Sequence, residues 1–130
     1  MVPATLGEPL MSQYKYFKTE EFLCPCGECP PHEPSPTLLF MLDEARSVAG
    51  IAFGINSGVR CPKHNREVGG TLDSEHISGE GADIAVTSAW ERFTIVSALL
   101  KVGFNRIGVG KTFVHAGVSK TKPRPVLWVY

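Results

Sequence analysis

The sequence predicts an α+β domain with a central antiparallel sheet flanked by helices. Two segments with helical spacing of apolar residues come first, and three short β-type runs, "RIGVG", "FVHAGV" and "VLWVY", come late and are separated by turn residues. At 130 residues the chain is long enough to bury one core and too short for two, and it contains no internal repeat or low-complexity tract. Residues 1–10, with two prolines and little periodicity, read as a disordered extension, which leaves 11–130 as a single domain.

The elements follow in chain order. "CPCGECPPHEPSP" carries too many prolines and glycines for a helix or a central strand, so it reads as an ordered loop. Ser35 can cap a helix whose first residue is Pro36, with Leu38, Leu39, Leu42, Ala45 and Ala49 on one face and Gly50 as its stop. A strand is expected from about Ile51 to Ser57, and a short helical piece from Pro62 that ends at Gly69 and Gly70. Asp83 to Val86 reads as a second short strand. Ser88 with Glu91 forms a capping box for the next helix, whose apolar stripe is assigned to Trp90, Phe93, Val96, Leu99 and Leu100 and which stops at Gly103.

Thirteen basic residues balance thirteen acidic ones, so the net field offers no general attraction to nucleic acid or to an anionic membrane surface. Neither a signal-peptide pattern nor a run of the roughly 20 apolar residues of a membrane span is present, so synthesis and folding in the cytosol are expected. The oligomeric state is left open, with a monomer as the expectation.

Four cysteines, Cys24, Cys26, Cys29 and Cys61, then stand in a chain where disulfides are not the default. C-x-C-x-x-C with Cys61 and His64 further on has the composition of a structural zinc site. A disulfide between Cys61 and the early loop, or four reduced thiols, fit the same spacing, which is tighter than that of common zinc knuckles.

A different set of residues carries catalytic chemistry. Along 113–118, Phe113, His115 and Gly117 share one side of a strand while Val114, Ala116 and Val118 share the other, so His115 faces away from an apolar row. In "SEHISGEGADIAV", His76 precedes Asp83 by seven positions. That is more than one helical turn, so the chain must fold back, and Gly79 and Gly81 supply permissive backbone for it. Two histidines and an aspartate are the ligands of a catalytic zinc that keeps a fourth position for water, although loop histidines and aspartates more often cap turns or face solvent.

"SGVRCPKHNREVGG", "SEHISGEGADIAV" and "GFNRIGVGKTFVHAGV", taken in that order, resemble the zinc D-Ala-D-Ala carboxypeptidase family, above all its small phage and bacterial members. The wider superfamily includes L-alanyl-D-glutamate endolysins and the hedgehog signalling domain. The resemblance covers residues 17–130 and rests on S-x-H-x-x-G-x-x-x-D followed by a late strand histidine. It implies the hedgehog/DD-peptidase fold, Zn2+ held by His76, Asp83 and His115, Arg60 near the substrate carbonyl or carboxylate, and Ser74 helping to hold the peptide. Arg60 as a surface ion pair and Ser74 as a turn residue are the bland alternatives.

The family places an acidic residue three positions before the last ligand or two after it, as general base; here those positions hold Thr112 and Gly117. Glu75 and Glu80 flank the first ligand and are the candidate replacements, or else solvated loop charges. The expected activity is therefore a metallopeptidase acting on peptidoglycan stem peptides, as a carboxypeptidase or an endolysin-type endopeptidase. It would reach the wall by lysis or in a virion; a cytosolic dipeptidase fits the lack of an export signal equally well. The alternative is a zinc-containing binding or phage structural module without turnover.

Overall fold

The computed structural model describes residues 14–27, 29 and 32–130. The segment read as an extension lies outside the described residues.

A 3-10 turn at Thr19–Phe22 precedes the first helix, α1 (Pro36–Ala49). The Ser35 hydroxyl accepts from the Leu38 amide, Pro36 occupies the first turn where no donor is needed, and Gly50 ends the helix at φ 73°. The second long helix, α4 (Ala89–Val102), is closed by Gly103 at φ 106°. Its Ser88 hydroxyl accepts from the Glu91 amide, while the Glu91 carboxylate reaches back to the Thr87 amide, one residue before the cap. Between them lie two short helices, α2 (Pro62–Glu67) and α3 (Glu75–Ser78).

Five strands form one sheet in the order β1-β2-β4-β3-β5: β1 (Ile55–Ser57), β2 (Gly81–Ala85), β3 (Arg106–Val109), β4 (Phe113–Gly117) and β5 (Val126–Val129). The first four are antiparallel to their neighbours, as expected, but β5 pairs with β3 in parallel, so the sheet is mixed. The cause is the route of residues 118–125. They leave β4 at the end of the sheet where β3 begins, pass β3, and set Val126 beside Arg106, which forces β5 to run in the direction of β3. Two strand spacings, about 10 Å in all, are within easy reach of such a loop.

Strand boundaries also shift. β1 starts at Ile55 rather than Ile51, and β2 starts at Gly81, which places Asp83 at its centre rather than its start.

Alternation divides the sheet into two faces. Ile84, Val114, Ala116 and Ile107 lie on the helix side and join Leu38, Leu39, Leu42 and Ala45 of α1 and Ile95, Ala98 and Leu99 of α4 in one core. The stripe assigned to α4 from sequence is wrong in most positions: Trp90, Phe93 and Leu100 are 63%, 74% and 53% exposed. Ile95, Ala98 and Leu99 repeat at helical spacing just as well, and this set, with Leu99 the one buried residue of the expected stripe, meets α1 and β4.

Leu42→Ala should lower unfolding free energy by about 2–5 kcal/mol, because Leu42 is fully enclosed. Phe93→Ala, on the exposed side of α4, should change it by no more than about 0.5 kcal/mol. Urea unfolding of both variants checks the assignment of faces.

Candidate metal centre

On the other face, register brings the site together. Asp83 of β2 pairs with His115 of β4, His115 with Gly108 of β3, and Gly108 with Trp128 of β5, so four strands contribute to one row. His115 is only 4% exposed.

His76 enters from α3 rather than from an irregular loop. The Ser74 hydroxyl caps this single turn by accepting from the His76 amide at 3.0 Å. Gly79, at φ 78°, ends the turn and sends the chain into β2. A helical turn, a left-handed stop and a strand entry therefore occupy the six positions between His76 and Asp83. Gly81 has a different role from the one assigned to it: a Cβ there would lie 2.7 Å from the His115 ring, so its contribution is space.

The hydrogen bonds behind the two histidines decide where their lone pairs point. His76 Nδ1 faces the Gly58 carbonyl at 2.7 Å, and a carbonyl only accepts, so Nδ1 carries the proton. His115 Nε2 lies 2.8 Å from Glu75 Oε1. Burial is the largest influence on Glu75 and works upward, yet the hydrogen bond and charge of His115 with the Ser119 amide and Arg106 hold its carboxyl below the usual range. Glu75 is ionised, can only accept, and fixes the proton on His115 Nε2.

The remaining nitrogens, His76 Nε2 and His115 Nδ1, face the same oxygen, Asp83 Oδ1, at 3.2 and 3.0 Å. Two lone pairs and a carboxylate oxygen thus converge, and only a proton or a metal cation can satisfy all three. Burial, the largest influence on Asp83, would raise its carboxyl, but hydrogen bonds and charge from His115 and His76 hold it far below the usual range. For His115, burial is opposed and outweighed by Asp83 and Glu75, which raise its pKa. The three ligand atoms lie within 4.8 Å of one another. Two imidazoles and one carboxylate with a free side suit zinc.

Glu75, one of the two candidate bases, is thus turned to the back of His115. Arg106 Nε and the Ser119 amide donate to its other oxygen at 3.0 and 3.1 Å, and its side chain is 2% exposed. This network fills the place of a side chain at 117: a Cβ on Gly117 would lie 2.2 Å from Glu75 Oε2. Glu80, the other candidate, accepts from the Ser78 hydroxyl and does not line the cavity. Thr112 contributes its carbonyl to the Val86 amide.

A cavity of about 280 Å³ opens over the triad. Arg60 and Ser74 line it, together with Phe113, Trp128 and Tyr130. Arg60 is half-buried, donates to Ser57 and Asn65, and reaches Asp83 Oδ2 at 3.5 Å. It is therefore ion-paired, but into the site rather than across a free surface. Asn65 in turn donates to the Thr71 carbonyl, tying the arginine to the loop before α3. Cys24, Cys26, Cys29 and Cys61 gather separately, beside the start of α2.

Sequence reasoning did not single out Arg106, Asn65, Trp128 or Tyr130. Arg106 could have been found from strand phase alone, since it sits two residues from Gly108 on the face shared with His115. The aromatic pair could not, because it depends on the parallel placement of β5.

A family model described as Peptidase M15 matches residues 15–117, most of the chain. No curated protein matches the sequence closely enough to count as a relative.

Gly117→Ala should destabilise the fold by about 1–3 kcal/mol, because the Glu75 carboxylate in its way is held by three partners and cannot step aside. Denaturant titration checks it, and a neutral result would contradict the packing around Glu75.

Proposed function

The chain belongs to the peptidase M15 family, and from that membership and the converging His–Asp–His lone pairs we propose a zinc-dependent peptidase that cleaves peptidoglycan stem peptides, as a D-Ala-D-Ala carboxypeptidase or a related endopeptidase. The single observation that carries the metal is the convergence of His76 Nε2 and His115 Nδ1 on Asp83 Oδ1, with the Gly58 carbonyl and Glu75 behind the other two ring nitrogens. When bound, zinc supplies Lewis acidity toward a carbonyl oxygen and lowers the pKa of water toward 7 or so.

The chain's own residues do the rest. His76, Asp83 and His115, which all line the cavity, would hold the ion. Arg60, anchored by Ser57 and Asn65, presents a fixed positive charge to a substrate carboxylate or to negative charge building on the scissile carbonyl. Ser74 lines the same cavity and can accept from or donate to a peptide backbone, beyond its cap to α3. Phe113, Trp128 and Tyr130 give one wall an apolar surface for small side chains such as alanine's.

A second reading has its own support. Among the described residues lining the cavity the only acidic side chains are Asp83 and Glu75, one facing the metal position and the other bonded behind His115. Base catalysis is typically worth about 10² to 10⁴ in rate. A module that binds zinc and wall peptide without turnover fits that arrangement. No helix among the described residues is long and apolar enough to cross a membrane. Action at the wall after lysis or from a virion belongs to the same proposal.

Protein purified without chelators and incubated with purified peptidoglycan or a D-Ala-D-Ala peptide should release alanine or new amino termini. A strong chelator should stop the release and added zinc restore it. His115→Ala and Asp83→Ala should abolish both zinc at this centre and turnover. Arg60→Ala should keep the metal and lower kcat by about 10² to 10³. Peptidoglycan binding without any cleavage would favour the non-catalytic module.

A further inference from the structure

The four cysteines take no part in this chemistry, yet the fold collects them. Three come from the loop after the 3-10 turn and the fourth from the exit of β1, thirty-two residues beyond Cys29. None is in a disulfide. Cys24 Sγ lies 3.5 Å from Cys26 Sγ, and Cys26 Sγ lies 3.6 Å from Cys61 Sγ. All four sulfurs fall within 4.8 Å of one another.

Those distances exclude a disulfide and fit either thiol hydrogen bonds or sulfurs sharing one ion. A disulfide needs about 2.05 Å between sulfurs. Four thiolates around zinc, each with a bond of about 2.3 Å, place neighbouring sulfurs about 3.8 Å apart at tetrahedral angles. The cluster is compatible with this arrangement, and the gathering of all four sulfurs, rather than a single pair, is what favours a shared ion.

The backbone around it is arranged for the same purpose. Gly27 takes a left-handed conformation, φ 71°, directly after Cys26. The Cys61 amide donates to Cys24 Sγ and the His64 amide to Cys61 Sγ, both at 3.4 Å. Amides aimed at sulfur stabilise negative charge there, as the outer partners of a thiolate site do.

We propose that Cys24, Cys26, Cys29 and Cys61 bind a second zinc ion, a closed four-thiolate site that holds the fold rather than reacting. Binding releases the thiol protons to solvent, and all four zinc positions are taken by sulfur, so neither water nor substrate has access. The site clamps the first loop to the segment that carries Arg60, the residue immediately before Cys61. The same junction is held by the Val59 amide donating to the Phe22 carbonyl at 2.7 Å, and a Cβ on Gly58 would strike the Phe22 backbone at 2.6 Å.

Metal analysis of the full chain purified without chelators should give about two zinc ions per chain, and about one in each of two variants, His76→Ala and Cys29→Ser. His76→Ala isolates the cysteine site, so its result is independent of the peptidase reading. Loaded with cobalt(II) in place of zinc, His76→Ala should show the intense near-ultraviolet sulfur-to-cobalt charge-transfer absorption of thiolate ligation, and its four thiols should resist a thiol reagent until a chelator is added. This spectrum needs no cysteine variant, so misfolding of Cys29→Ser leaves the test intact. Metal-free His76→Ala with four freely reactive thiols would overturn the proposal, as would a disulfide found by mass spectrometry of the unreduced chain.

Discussion

The front of the site is determined from behind. An imidazole offers a lone pair to a metal only where its other nitrogen holds the proton, and here two unrelated acceptors impose that choice. The Gly58 carbonyl does so for His76, and the ionised Glu75 does so for His115. Asp83 then faces the two remaining ring nitrogens at hydrogen-bond distance, where a cation, proton or metal, must sit. A carboxylate and two lone pairs repel one another unless a positive charge lies between them. The rest of the molecule keeps this unfavourable group of atoms in place, through strand register for Asp83 and His115 and through a one-turn helix for His76.

That constraint explains why the sheet is used unequally. Its helix side is an ordinary aliphatic core in which Val114 and Ala116 are fully enclosed. Its other side lacks side chains where the network needs room, at Gly81 for the His115 ring and at Gly117 for the Glu75 carboxylate. Arg106 completes the arrangement. It donates to Glu75 and the Pro123 carbonyl while its guanidinium lies 5.1 Å from the centre of the Trp128 ring. A charged group buried in this way is costly without partners, and each of its contacts reduces that cost. The same arginine thereby links the back of the centre to the last strand, which supplies the aromatic wall.

Much of this was legible in the amino-acid string, and the illegible parts have physical reasons. Ser35–Pro36 and Gly50, and Ser88 and Gly103, mark helix ends by local capping chemistry, and the ends lie where those residues stand. That His76, Asp83 and His115 come together was suggested by strand alternation, a glycine-bearing loop and above all the family resemblance, and strand register does bring them together. The buried stripe of α4 was not, since Trp90 and Phe93 are as apolar as Ile95 and Leu99, and only the neighbouring elements decide which set is covered. The direction of β5 was not either, because it depends on the route of a loop. Glu75 could be flagged as an acid beside the first histidine, but its orientation depends on Arg106 and Ser119, more than thirty positions away.

Positions 75 and 117, distant in the chain, compete for a single volume. One holds a long acid and the other no side chain at all, and each state requires the other. Among descendants of this sequence the two sites are therefore expected to change in tandem: a residue with a side chain becomes tolerable at 117 only after the acid at 75 has been shortened. A lineage passing through the intermediate, with both positions filled or both empty, would carry either a steric clash or an unmatched arginine.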